Sequence, residues 1–519
     1  MESSLLGYSR GDASAKTFQA VNPENGQTLP ANYAMVSEEE VEEACRLADQ
    51  AAPIIAQFKG PRKAEFLRAL ADGIDGVVGD LVPMMSAETG LPEPRVRGET
   101  GRTCGQLRMF AKLVETGSWV DARIDRAQPN REPLPKPDLR AMLRPIGPVA
   151  VFCASNFPLA FSVAGGDSAS AWAAGCPVVV KAHHAHPGTA LLIGQVVVNT
   201  LKQCDWPEGA FSLLFGEGRT VGQSLVKNSR IKAVGFTGSR AGGRALFDLA
   251  NGREEPIPVF AEMSSVNPIF VLPGMGEGRI EEFTAGLMGS ATLGVGQFCT
   301  NPGIVFHPSG EFGDQFISAY VEKMKSVNAL PMLHQGICDS YAKGILSLSS
   351  CDGVNVEYQF KTENNAQGSY AGPCVLSASV DDFMKDSSMM DEVFGPSTLL
   401  VSYHSADQLL DVISKMEGQL TATVFGENED LTTHGSFLEH LELKAGRLLF
   451  NQFPTGVEVC EAVVHGGPYP ATTDGRSTSV GTGAILRFVR PVCYQGFPDE
   501  WLPEELREGN PLGVNRSEG

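Results

Sequence analysis

The segment Gly294–Gly303 reads Gly-Val-Gly-Gln-Phe-Cys-Thr-Asn-Pro-Gly and places Cys299 in a loop punctuated by glycine and proline, just after a helical pattern. Small neighbours leave its sulfur reachable and nearby backbone N–H groups free to donate, so Cys299 is a candidate nucleophile. Most cysteines of reduced compartments are small buried hydrophobes, and reactivity depends on a thiolate that only spatial partners can favour. A second feature is the turn Gly235-Phe236-Thr237-Gly238-Ser239-Arg240-Ala241-Gly242-Gly243, which follows an apolar run and opens a helical pattern through Leu246 and Leu249. Its glycines and hydroxyl, Gly238, Ser239 and Gly243 among them, expose helix N-terminal N–H groups to a phosphate, although the spacing is not G-x-G-x-x-G. The third feature is Lys181-Ala182-His183-His184-Ala185-His186. Histidines are metal ligands, but no carboxylate or cysteine completes this set and the lysine opposes a cation, so no metal is expected.

Elements that position these residues follow from the apolar pattern. From Gly147 onward, apolar runs alternate with Gly- or Ala-rich helical stretches: Val149 to Phe152, Pro177 to Lys181, Phe211 to Phe215 and Ile231 to Phe236. Continuous apolar strands between helices predict a parallel sheet covered on both faces, with ligands bound beyond the strands' C-terminal ends. A second alternating series runs from Asn267-Pro268 to about Gly467. Upstream, Ser37 followed by Glu40 predicts a capping box and a helix that turns Val41, Ala44, Cys45, Ala48 and Ala51 inward. Residues 1 to 36 read as a loose arm with short extended pieces. The proline-rich segment Arg131-Glu132-Pro133-Leu134-Pro135-Lys136-Pro137 cannot be a central strand and predicts an edge or hairpin.

The 519 residues are too many for one core and predict two to four units. Eleven cysteines without a Cys-x-x-Cys pair fit a reduced compartment and exclude both a disulfide framework and a zinc ribbon. No apolar stretch approaches the ~20 residues of a membrane span. The start, Met1-Glu2-Ser3-Ser4, has no basic run before an apolar one, so a cytoplasmic protein is expected. A net charge of −20 repels nucleic acid and anionic membranes, and an anionic ligand must meet a local basic cluster.

Five motifs in order, Asn156-Phe157-Pro158-Leu159, Gly235-Phe236-Thr237-Gly238-Ser239, Glu262 with Asn267-Pro268, Gly296-Gln297-Phe298-Cys299 and Glu392-Val393-Phe394-Gly395-Pro396, resemble the aldehyde dehydrogenase superfamily from about Val21 to Val492. Ala154 to Pro158 and Val464-His465-Gly466-Gly467-Pro468-Tyr469-Pro470 look like the branch of NADP-dependent fatty-aldehyde and α-ketoglutaric semialdehyde dehydrogenases. The resemblance implies an α/β fold with two doubly wound parallel-sheet domains and a small oligomerisation element. Its divisions would be 1–118 with 145–266 for nucleotide, 267–484 for catalysis, and 119–144 with 485–519 for oligomerisation and tail.

It also implies roles. Cys299 is the nucleophile that forms a thiohemiacetal and then a thioester, and the Asn156 amide with the Cys299 N–H is the oxyanion hole. Glu262 is the general base, with a pKa that burial is expected to raise. His465 lies near the cysteine as a tuning group, an alternative base or a satisfied core histidine. Lys181 bonds the adenosine ribose, while Glu392 and Phe394 hold the nicotinamide ribose and ring. His184 replaces the glutamate that repels a 2′-phosphate, and Arg219 matches an arginine that meets one, so NADP is the expected cofactor with NAD as the alternative. Met263-Ser264-Ser265 stand where two glycines usually give the glutamate room.

For substrate, the stretch Asn451 to Glu458, with Arg102 and Arg108 near the mouth, suits α-ketoglutaric semialdehyde better than a fatty or other aliphatic aldehyde. A homodimer or homotetramer is expected, with no nucleic-acid or membrane partner. A Cys/His hydrolase built on Cys299 and His465 leaves the cofactor residues unexplained, and an inactive binding protein has no chemical need of Asn156, Glu262 and Cys299 together.

Overall fold

The apolar runs after Gly147 become one parallel sheet. In the computed structural model, which describes residues 1–14, 16–361, 367–433 and 435–519, its strands are β1 (Val149–Phe152), β2 (Val178–Lys181), β3 (Phe211–Leu214), β4 (Ala233–Thr237) and β5 (Val259–Glu262). They lie in the order β5-β4-β1-β2-β3. Every residue of β1, β2 and β3 is buried, which is why these strands lack the alternation of a half-solvated sheet. The chain leaves β1 toward β2 and β3 and returns to its other side for β4 and β5, so a topological switch point falls at β1. Lys181, the turn after Thr237, and Glu262 therefore emerge along one edge of the sheet.

The N-terminal arm is a correction to the loose segment expected. Leu5–Leu6 pairs antiparallel with β3 and with Ser9–Arg10, extending the sheet to seven strands, and both leucines are buried. Strands of two residues are too short to show a period. The helix Glu38–Ile55 starts at the predicted capping box, with the Glu40 N–H donating to Ser37 Oγ and the Ser37 N–H donating to the Glu40 carboxylate. Glu93–Thr116, a 24-residue helix, packs along Gly60–Gly76 and ends where Gly117 takes φ 64°. Its first turns bring Arg95, Glu99 and Arg102 to the cavity that Cys299 lines.

A second sheet holds β6 (Ile269–Val271), β7 (Ile304–Pro308), β8 (Asn355–Gln359), β9 (Cys374–Ser379), β10 (Ser397–Tyr403), β11 (Gln419–Phe425) and β12 (Ala445–Phe450). The order is β8-β9-β10-β7-β6-β11-β12, parallel except for the edge strand β8. Apolar clusters fill both faces, one around Phe270 and Phe306, whose rings stack at 5.0 Å, and one around Phe283 and Phe316. A third sheet joins Ala122–Asp125, Leu139–Pro145, Val489–Gln495 and Arg516–Glu518. The proline-rich segment is the connection between its first two strands, a hairpin as its missing N–H donors require. Among the described residues, no helix is long and apolar enough to cross a membrane.

Candidate active site

Cys299 sits between the helix Ile280–Thr292 and β7, in a loop whose shape is tightly imposed. Gly294, Val295 and Gly296 all have left-handed φ values, 56°, 59° and 66°. For the β-branched Val295 this is a strained conformation, of the kind proteins retain at functional loops. A Cβ on Gly296 would lie 2.3 Å from the Gly395 carbonyl, so only glycine fits where this loop meets the Glu392–Pro396 motif. Asn267 Nδ2 donates to the Cys299 carbonyl at 2.8 Å and the Asn301 carbonyl at 2.9 Å, clamping both sides of the cysteine. The Asn-Pro motif before β6 thus braces the Cys299 loop.

Around the sulfur the structure assembles the expected set. His465 Nε2 lies 3.3 Å from Cys299 Sγ and 2.9 Å from Glu262 Oε1. Ser479 Oγ donates to Glu262 Oε2 at 2.7 Å. Glu262 and His465 are both buried. The Asn156 amide donates to the Gln297 carbonyl at 3.1 Å, which aims it at the cysteine loop, while the Cys299 N–H has no intramolecular acceptor among the described residues. Those are the two donors an oxyanion requires.

Electrostatics distinguish the roles. Burial, then the neighbouring Glu262 carboxylate, push the Cys299 thiol well above its ordinary range, so the resting sulfur is protonated. For Glu262, burial raises the pKa, but His465 beside it and hydrogen bonds from His465 and Ser479 outweigh burial and hold it below the ordinary range. This reverses the expectation that Glu262 would titrate toward neutrality. The loss of the two glycines has a packing counterpart: Met263 is buried against Gly243, where a Cβ would meet its Cγ at 2.6 Å, and Ser265 is bonded to Asn267 and Gln419.

A cavity of about 290 Å³ opens over Cys299 and His465, walled by Phe157, Phe161 and Phe298 and by Arg102. Arg108 does not reach it; its guanidinium lies outside, bonded to Asp72 and Asp75. Of the stretch Asn451 to Glu458, only Gly456 and Val457 line the cavity. Asn451 instead accepts from the Gly426 N–H, and Phe453 packs on Phe283 and Phe425.

The same C-terminal edge of the first sheet carries the residues read as cofactor-binding. Ser239 caps the helix Arg240–Asn251 by accepting from the Gly242 N–H at 3.2 Å, which leaves its O–H and the helix N-terminal N–H groups to a ligand. A Cβ on Gly238 or Gly243 would lie 2.7 Å from the Phe236 ring or 2.6 Å from Met263 Cγ, so a side chain at either position requires its neighbour to move. Lys181 is buried at the end of β2, and its ammonium makes no hydrogen bond or ion pair among the described residues. A lysine without a partner and, two strands away at the same edge, free helix N–H groups fit a phosphate- and ribose-bearing cofactor. Arg219 and His184 are exposed nearby in sequence terms, on the turn after β3 and the loop after β2. Glu392 lies in a cleft with Phe394 and borders a cavity of about 300 Å³ with Ser264 and Arg240; burial raises its pKa to about 7.

His334, from the start of the helix Gln335–Ser349, joins His183 and His184, and their ligand atoms lie within 4.8 Å of one another. Sequence spacing did not foresee this third histidine, which comes from the other sheet's half of the chain. Burial is the first cause that lowers the pKa of all three, followed by neighbouring histidines for His183 and His334 and by Lys181 for His184, so the cluster is neutral at pH 7. Ser479 and Asn267's clamp were likewise missed; no local pattern announces a hydroxyl fourteen positions after His465 as its partner.

The model of the aldehyde dehydrogenase family matches residues 10–469. The chain is 46% identical over 514 residues to alpha-ketoglutaric semialdehyde dehydrogenase 2 of Azospirillum brasilense, covering 99% of this chain and 97% of that protein. It is 43% identical to the alpha-ketoglutaric semialdehyde dehydrogenase of Acinetobacter baylyi, covering 97% and 95%. Among solved structures, 3,6-anhydro-L-galactose dehydrogenase in complex with NAP superposes with a TM-score of 0.81 at 20% identity, covering 95% of this chain and 99% of that one. Methylmalonate-semialdehyde dehydrogenase from Oceanimonas doudoroffii does so at 0.82 and 18%, covering 96% and 98%. Sequence and fold agree: the chain belongs to the aldehyde dehydrogenase family.

Proposed function

We propose that this enzyme oxidises α-ketoglutaric semialdehyde (2,5-dioxopentanoate) to 2-oxoglutarate through a covalent adduct on Cys299. The observation that carries the mechanism is the hydrogen-bonded set of Cys299 Sγ, His465 Nε2 and Glu262 Oε1. The thiol proton passes to this His465–Glu262 pair as sulfur adds to the aldehyde carbon, and the resulting alkoxide is held by the Asn156 amide and the Cys299 N–H. A bound nicotinamide supplies the acceptor for the hydride that leaves the thiohemiacetal carbon. Once the first proton has left the pair for solvent, Glu262, assisted by His465, takes a proton from the water that hydrolyses the thioester, and this second proton returns to the Cys299 sulfur as the acid departs.

Two relatives above 40% identity over nearly the whole chain support the substrate. NADP is the cofactor in this reading, held by Lys181, His184 and Arg219 at the adenosine end, by Gly238, Ser239 and Gly243 at the phosphates, and by Glu392 and Phe394 at the nicotinamide end. Residues 1–118 with 145–266 are taken as the nucleotide-binding unit and 267–484 as the catalytic one. Residues 119–144 and 485–519 are assigned to a homodimer or homotetramer, with the edge strands of the small sheet, Val489–Gln495 and Arg516–Glu518, open to a partner. Eleven free cysteines accord with a cytoplasmic enzyme.

Initial rates decide the matter. The expected result is a higher kcat/KM for 2,5-dioxopentanoate than for a medium-chain aliphatic aldehyde, and with NADP+ at least equal to that with NAD+. A clear preference for the aliphatic aldehyde would overturn the substrate and leave the Cys299 mechanism standing.

A further inference from the structure

We propose that Arg102 is the specificity-determining residue of this enzyme, receiving the carboxylate at the far end of a short ω-oxo acid whose aldehyde carbon lies at Cys299. The inference deepens the substrate reading above and rests on it.

Arg102 borders the same cavity as Cys299 and His465. Its Nη1 is shielded from solvent and has no hydrogen-bond partner. A buried guanidinium N–H without an acceptor is costly, so a ligand that brings an acceptor to it gains what the folded protein leaves unmade. The neighbouring carboxylate is not that acceptor. Glu99 Oε1 receives the N–H groups of Leu159 at 2.9 Å and Ala160 at 3.0 Å, and its Oε2 pairs with Arg95 at 3.1 Å. Glu99 and Arg95 thus satisfy each other, and Arg102 is the cation left over.

Aromatic rings hold that cation in place. The Arg102 guanidinium carbon lies 5.4 Å from the Phe161 ring centre and 5.9 Å from that of Phe157. Such ring contacts stabilise the cation while taking up none of its N–H donors. Arg447 adds to the field at Cys299 while its own Nη groups hold the carbonyls of Pro454 and Gly456. Among the residues that line the cavity, Arg95 and Arg102 stand against the single carboxylate of Glu99, an excess of one positive charge. Its phenylalanine walls accept methylene groups; among the described residues two lining groups lack a partner, the Thr300 hydroxyl and the Arg102 guanidinium, and the second of these, a cation, asks for an anion. A neutral aliphatic aldehyde would bury Arg102 further without pairing it.

The test compares 2,5-dioxopentanoate with pentanal, a neutral aldehyde of equal carbon count, in the wild type, Arg102→Met, Arg102→Lys and the control Arg108→Met from the outer face of the same helix. Arg102→Met should raise KM for 2,5-dioxopentanoate about 10- to 100-fold while kcat/KM for pentanal falls far less or rises. Arg102→Lys should recover part of the loss, and Arg108→Met should leave both substrates as in the wild type. Glutarate should inhibit wild-type oxidation of pentanal competitively, a readout that needs no variant to fold. If the wild type prefers 2,5-dioxopentanoate and Arg102→Met keeps that preference, the carboxylate is read elsewhere and Arg102 loses its role while the substrate stands. Absence of competitive inhibition by glutarate overturns the role as well. A wild type that treats the two aldehydes alike overturns both.

Discussion

Glu262 and Lys181 are both charged, both buried and both at the C-terminal ends of strands in the same sheet, yet the protein treats them oppositely. Glu262 is 3% exposed and has each carboxylate oxygen bonded, one to His465 and one to Ser479. Lys181 is 7% exposed and has no partner among the described residues. A group that moves protons must be aligned before substrate arrives, because reorganisation during the reaction raises the barrier. A group that binds can leave its partner to the ligand, and the unmade interaction then becomes binding energy. The difference separates the chemical edge of the site from its cofactor edge.

The largest test of the contrast is at the sulfur that Glu262 serves. Cys299→Ala should abolish aldehyde oxidation while nucleotide affinity, measured by fluorescence titration of the reduced cofactor, stays within about two-fold, because the thiol acts in chemistry alone. Turnover at the wild-type rate would end the mechanism. Glu262→Gln should lower kcat by about 10²–10⁴-fold, the range of a lost general base, with little change in cofactor affinity. A rate equal to wild type would make Glu262 a structural partner of His465.

At the binding edge the pattern should invert. Lys181→Met removes an unpaired buried cation, so the protein without cofactor should melt at the same or a higher temperature, while cofactor Kd rises about 10- to 100-fold. A lower Tm with unchanged Kd would show that Lys181 is partnered within the protein after all. Arg219→Ala should weaken NADP+ by about ten-fold and NAD+ hardly at all, since a charge-assisted contact to a 2′-phosphate exists for one cofactor alone. Equal losses for both would refute the assignment.

The smallest effect expected is Ser479→Ala, a few-fold in kcat, and its pH dependence carries the information. Glu262 is held below its ordinary range partly by Ser479. In the wild type it stays ionised until the pH falls below the ordinary value of about 4.3, so the stability it contributes is present above that pH and is lost as the pH falls through its lower folded value. Removing Ser479 raises the folded pKa, and the acid limb of kcat/KM should move to higher pH. An unmoved limb would assign that limb to another group.

Much of this was legible in the chain. The parallel strands β1 to β4 stood out because burial on both faces makes them continuous apolar runs, and the capping box at Ser37 and Glu40 needs only local geometry. Cys299 was visible because glycines and a proline mark an unusual loop in any context. Short elements were not: Leu5–Leu6 acquires strand character only by pairing with β3. Neither was Arg108 separable from Arg102, since six positions along a helix change which face meets Asp72 and which meets the cavity.

The amino-acid order by itself determined the fold class, the nucleophile's loop and the family motifs, because these rest on residue type and near spacing. Tertiary structure alone decided the state of the groups. Whether Glu262 is raised by burial or lowered by its partners turns on His465 and Ser479, more than two hundred positions away in the chain. Whether three histidines stand alone turns on His334, brought to them from the other half of the molecule. Charge and hydrogen-bond energies fall off over a few ångströms, so they are set by distances in space that sequence separation does not encode.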